Sequence, residues 1–108
     1  MKIEMDSALQ ELIQSRKGTN KQYKSIANNN TLYAGLIRAY QVLESVDCVG
    51  ELRVYSFLHY ERLKHEYSGL SSVRLDNRYV HRLIFQELDD YITLKLITID
   101  DTHYGNKK

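Results

Sequence analysis

Nine residues near one end of the chain, YITLKLITI at 91–99, constrain the fold more than any other stretch. β-Branched side chains dominate them, and such residues fit a pleated, half-buried surface. A strand needs partners, and two candidates lie just upstream. RYVHRLIFQEL at 78–88 is again β-branched and aromatic. SSVRL at 71–75 alternates, with Val73 opposed to Arg74. Asp76 and Asn77 separate the first two runs, and Asp89 and Asp90 the last two. These are turn formers. The pattern predicts a three-stranded antiparallel meander over 71–100.

The first half reads differently. KIEM at 2–5 is a short candidate strand. SALQELIQSRKG follows, with Ser7 and Gln10 at capping-box spacing, Leu9, Leu12 and Ile13 on one stripe, and Gly18 as a stop. Residues 19–30 are polar, with a helical turn expected near 23–27. The main helix is expected over 30–46, capped by Asn30 or Thr31. Leu32, Leu36, Ala39, Tyr40 and Leu43 share one face, and Gly35 weakens it locally. Residues 47–70 hold no period. The expected fold is α+β, one domain over 1–108, with an N-terminal strand and helices packed on a mostly antiparallel sheet.

Composition narrows the class. With 43% hydrophobic residues, the 108-residue chain can bury one modest core. Its 27% charged residues and lack of repeats argue against disorder. No apolar run approaches the roughly 20 residues that span a bilayer, so no membrane role is expected. Glu4 interrupts the start, which does not resemble a secretory leader. Cys48 is the sole cysteine, which excludes an internal disulfide and offers no paired-cysteine zinc site. It reads as a small, partly buried side chain in a reducing cytoplasm.

The net charge of +1 is unevenly spread. Residues 53–82 carry Arg53, Arg62, Lys64, Arg74, Arg78 and Arg82 against Glu61, Glu66 and Asp76. His59, His65 and His81 lie there too. Residues 83–101 carry five acids and Lys95. Such separation can become a basic face that attracts phosphate. Solvated strand edges give the same pattern. The histidines at 59, 65, 81 and 103 form no i, i+4 pair, so no metal is expected. There is no Walker-type glycine loop and no Gly-x-Ser-x-Gly elbow.

Leu63-Lys64, Gly69-Leu70, Ser72-Val73-Arg74-Leu75, Tyr79 and Arg82-Leu83-Ile84-Phe85, in that order, resemble the RelE/ParE superfamily of bacterial type II toxins. The ending DDTHYGNK resembles its HigB-like, "killer protein" branch in particular. His65 stands where that pattern has glycine, Ser71 where it has tyrosine, and Val80-His81 reads as an insertion, expected as a bulge.

The resemblance implies a ribosome-dependent, metal-independent endoribonuclease without cofactor. A 2′-hydroxyl attacks the adjacent phosphate. A base takes its proton, cations stabilise the phosphorane, and an acid protonates the leaving oxygen. The resemblance points to Arg82 as phosphate stabiliser, expected on the solvent side of its strand, with Arg74 holding phosphate or rRNA. His103 suits proton transfer, and Tyr104 suits stacking or phosphate orientation. Lys64 and Arg78 are candidate RNA contacts. His59 and His65 are candidate RNA contacts and compete with His103 as base. The implied partners are a cognate antitoxin and the ribosome with its mRNA. Two alternatives share the fold: a ParE-like inhibitor of DNA gyrase, and a degenerate domain that only binds antitoxin.

Overall fold

The structure, a computed structural model, describes residues 1–88 and 92–101. A short strand β1 (Lys2–Glu4) leads into helices α1 (Ser7–Ser15), α2 (Lys21–Ala27) and α3 (Asn30–Ser45). Two 3₁₀ turns, Val49–Val54 and Ser56–Leu58, occupy the first part of the aperiodic stretch. Then come β2 (Glu61–Arg62), a third 3₁₀ turn (His65–Tyr67), β3 (Leu70–Arg74), β4 (Arg82–Glu87) and β5 (Thr93–Asp100). The five strands form one sheet in the order β1-β5-β4-β3-β2. β1 runs parallel to β5 and every other pair is antiparallel. The fold is α+β, with the expected meander at its centre.

Asparagine and aspartate set the helix starts. The Asp6 carboxylate accepts from the Leu9 amide at 2.9 Å. It takes the place of the expected Ser7/Gln10 box, because Ser7 is already helical. Asn20 and Asn29 cap α2 and α3 in the same way, accepting from Tyr23 and Leu32 at 2.7 and 3.0 Å. The α3 cap is thus one residue before Asn30, the earlier of the two expected positions. Helix α1 ends sooner than Gly18 implies: Arg16 already turns left-handed, at φ 55°. Gly18 serves a different end. A Cβ there would lie 2.3 Å from the Lys24 amide nitrogen, so only glycine lets this loop cross α2.

The core lies between the helices and one face of the sheet. Leu9, Leu12, Ile26, Leu36 and Leu43 meet Val73, Leu83, Phe85, Leu94 and Ile99, with none of these ten measurably exposed. Gly35, a weak point for helix propensity, is what lets α3 approach: its Cβ would stand 2.1 Å from the Leu75 carbonyl oxygen. Arg38, a turn further on, donates to that same oxygen at 3.3 Å.

Three further expectations are corrected. The second meander strand begins at Arg82 rather than 78, because Tyr79 N–H closes a turn onto the Asp76 carbonyl at 3.1 Å. Val80 and His81 therefore lie in the connection, and the sheet's irregularity falls between Ile84 and Phe85. Cys48 is exposed, because it lies in the turn after α3 and outside the core.

Gly35→Ala is expected to destabilise the fold by at least about 1–3 kcal/mol, since backbone on both sides of the contact must move. A urea unfolding midpoint that stays at the wild-type value would refute the close-approach account.

Candidate functional site

Alternation along a strand sends successive side chains to opposite faces. On β3, Val73 enters the helical core and Arg74 leaves by the other face. On β4, Leu83 enters the core and Arg82 leaves. The register pairs Val73 with Leu83, and hence Arg74 with Arg82. Two guanidinium-bearing residues therefore face each other directly, with Cβ atoms roughly 5 Å apart. Like charges so placed oppose folding, so their juxtaposition calls for an anion.

One anion is built in. Glu61, on β2, accepts from Arg82 Nη1 through Oε1 at 2.9 Å. The Arg82 side chain is only 13% exposed, against 56% for Glu61. The expectation of a solvent-side Arg82 is thus corrected. Its neighbours in the sheet cover it, and its Nη1 is held by the Glu61 carboxylate. Arg74 is differently placed. Its Nε is buried and has no hydrogen-bond partner among the described residues. Ser72, two residues back on the same face, is fully buried, and its hydroxyl is likewise unpartnered among them. Ser72 stands opposite Glu61 in the β2–β3 register. On the far side of Arg82 the register places Asp100. Two arginines, a serine hydroxyl and two carboxylates, Glu61 and Asp100, thus share one face of the sheet. Such a cluster can hold a phosphate and accept a proton beside it.

The other expected site residues separate. Lys64 and His65 are exposed on the turn between β2 and β3. His65 has φ 60°, the left-handed region in which glycine is at ease. His59 is exposed and also left-handed, at φ 48°, where it ends the second 3₁₀ turn. Arg78 sits at the tip of the β3–β4 connection, away from the arginine pair. Its Nε and Nη2 hold the two oxygens of Asp76 at 3.0 and 3.2 Å. These bonds draw the Asp76 carboxyl below the usual carboxylate range. His103 and Tyr104 lie outside the described residues. Among the described residues, no group of three or more His, Cys, Asp or Glu side chains is placed to hold a metal ion. No described helix is long and apolar enough to cross a membrane.

Glu61 was not singled out by the sequence. A two-residue strand carries no period, so nothing announced that β2 exists or that Glu61 would land beside Arg82. The one available signal was weak: an acid two residues before Leu63-Lys64, within a basic stretch.

No family model matches the chain, and no curated protein does. Among solved structures, a chain from the crystal structure of the toxin–antitoxin complex RelBE2 of Mycobacterium tuberculosis is similar, with a TM-score of 0.46 and 17% identity. The match covers 94% of this chain and 96% of that one.

Two predictions follow from these surroundings. Arg74→Met keeps the aliphatic stem but removes a buried, unpartnered donor and one of two facing charges. It is expected to raise stability by ~1 kcal/mol, read as a higher urea midpoint. A lower midpoint would mean that Arg74 has a structural partner. The second concerns His81, whose Nδ1 is buried and unpartnered among the described residues, with its ring edge-on to Tyr79. Burial pushes its pKa below the ordinary histidine value, although Asp101 and Asp100 pull it back. On acidification the unfolded chain therefore takes up this proton before the folded one. Stability should fall as pH drops below about 6.5. His81→Gln should flatten that slope between pH 7.5 and 5.5, and an unchanged slope would exclude His81 as its source.

Proposed function

We propose that this chain is the toxin of a type II toxin–antitoxin pair, and that it cleaves messenger RNA on the ribosome. The observation that carries the reading is the facing Arg74–Arg82 pair with Glu61 at the Arg82 guanidinium. The ordered motif from Leu63 to Phe85, with its RelE/ParE resemblance, supports it independently.

The chemistry assigns each group a step. Glu61 takes the proton of a ribose 2′-hydroxyl, and that oxygen attacks the adjacent phosphorus. Arg82 and Arg74 stabilise the added charge on the phosphorane oxygens, a task suited to fixed donors in a partly desolvated site. The 5′-oxygen leaves with a proton from His103. The products are a 2′,3′-cyclic phosphate and a 5′-hydroxyl, so DNA, lacking the nucleophile, is not a substrate. No metal or cofactor is required in this scheme. Tyr104 orients the phosphate or stacks on a base. Lys64, His65, His59 and Arg78 contact the RNA backbone or the rRNA around it. In its own cell, which we take to be bacterial with the protein in the cytoplasm, a cognate antitoxin masks the basic face.

Glu61→Gln and Arg82→Lys are expected to lower the cleavage rate on mRNA-loaded ribosomes by on the order of 10²–10³. The far-ultraviolet circular dichroism of both should stay native. Folded variants that cut at the wild-type rate would refute both assignments. A wild-type chain that leaves ribosome-bound mRNA intact but inhibits purified gyrase would replace the nuclease reading with the ParE-like one. Inactivity in both assays, with antitoxin binding retained, would leave the degenerate domain.

A further inference from the structure

Glu61 stands on the shortest strand of the sheet. Two ladder positions, Glu61 opposite Ser72 and Arg62 opposite Ser71, do little to fix an exposed side chain. Something else must hold it against Arg82. Its chain neighbours leave β2 on the opposite face, and both end on one carboxylate. The Tyr60 hydroxyl donates to Glu87 Oε2 at 2.8 Å, and Arg62 Nη2 reaches Oε1 at 3.4 Å. From β3, the Ser71 hydroxyl donates to the same Oε2 at 3.2 Å. The Tyr60 ring stacks on fully buried Phe85, with centroids 6.3 Å apart, and the Arg53 guanidinium covers it at 5.0 Å. Burial keeps the Tyr60 hydroxyl protonated to high pH, so it remains a donor. Arg62 is 71% exposed, so its ion pair adds little. The two hydroxyls and the stacked ring supply most of the grip.

Glu87 closes β4, the strand on which Arg82 opens. One strand therefore presents Arg82 on one face and Glu87 on the other. We infer that Glu87 is a positioning residue, which holds the Glu61 carboxylate at Arg82 by anchoring Tyr60 and Arg62 from behind. It touches no substrate. The inference rests on the role proposed above for Glu61.

A double-mutant cycle tests it. Glu87→Ala should slow cleavage on mRNA-loaded ribosomes roughly ten- to a hundred-fold, the scale of a misplacement near 1 Å, with KM within about twofold. In the Glu61→Gln background the same change should cost nothing further. Glu87→Gln, which keeps an acceptor for the Tyr60 hydroxyl, should restore most of the rate. Tyr60→Phe keeps the stacked ring, removes only the hydroxyl, and should lose rate in the same Glu61-dependent way. It answers the question if the alanine variant does not fold. Equal losses in both backgrounds, or none in either, would overturn the inference. A second readout needs no activity: the resonance of the Arg82 Nη1–H group that donates to Glu61, in the isolated protein. It should move in Glu87→Ala to where Glu61→Gln puts it. If the wild type cuts no RNA, the nuclease reading falls and this resonance alone decides. A signal that stays in place then overturns the positioning role.

Discussion

The register of β3 against β4 governs the rest of the molecule. Pairing Val73 with Leu83 puts two apolar side chains into the helical core. The same pairing obliges Arg74 to face Arg82 on the other side. A slip of one residue by either strand would turn that strand over, burying its guanidinium group among leucines and exposing its apolar partner. The burial of Val73, Leu83, Phe85 and Ile99 under the three helices therefore holds the arginines where mutual repulsion would part them. Core and site are two faces of one ladder, and hydrophobic burial supplies the free energy that the charge cluster opposes.

Close backbone approach works alongside that register. Gly35 lets α3 meet the end of β3 at Leu75, and Arg38 ties the helix to the same carbonyl. The helical layer is thereby set against the strand that carries Ser72 and Arg74. Gly18 does the same for the α1–α2 crossing. Both positions look unfavourable to local propensity, and both are explained by an atom from elsewhere in the chain.

What the sequence disclosed follows from the length of each pattern. The meander and α3 were legible because each repeats its period over several residues. Alternation beside Val73 was enough to put Arg74 on the face away from the core. The caps were harder: Asp6 and Asn29 each stand one residue before an equally good capping residue, and only the backbone decides between them. β2 was invisible because two residues have no period. Glu61 and the contacts of Tyr60, Arg62, Ser71 and Glu87 went with it, since these meet across 16 to 27 residues of sequence. Arg78 illustrates the reverse. Its basic character suggested the RNA-facing set, while its nearest anion, Asp76, lies only two residues away.

The Glu61–Arg82 pair bears on how a substrate gains entry. A tethered carboxylate competes with any incoming phosphate at an effective concentration far above that of a solute, in the millimolar range or higher. A phosphate on freely diffusing RNA meets the site at its bulk concentration and is outcompeted. A phosphate delivered within a larger assembly, already aligned by contacts elsewhere, arrives with a local concentration of its own. Under the proposed function, the internal ion pair acts as a threshold. It makes the arginine pair unresponsive to stray nucleic acid and responsive to RNA that another machine is holding still.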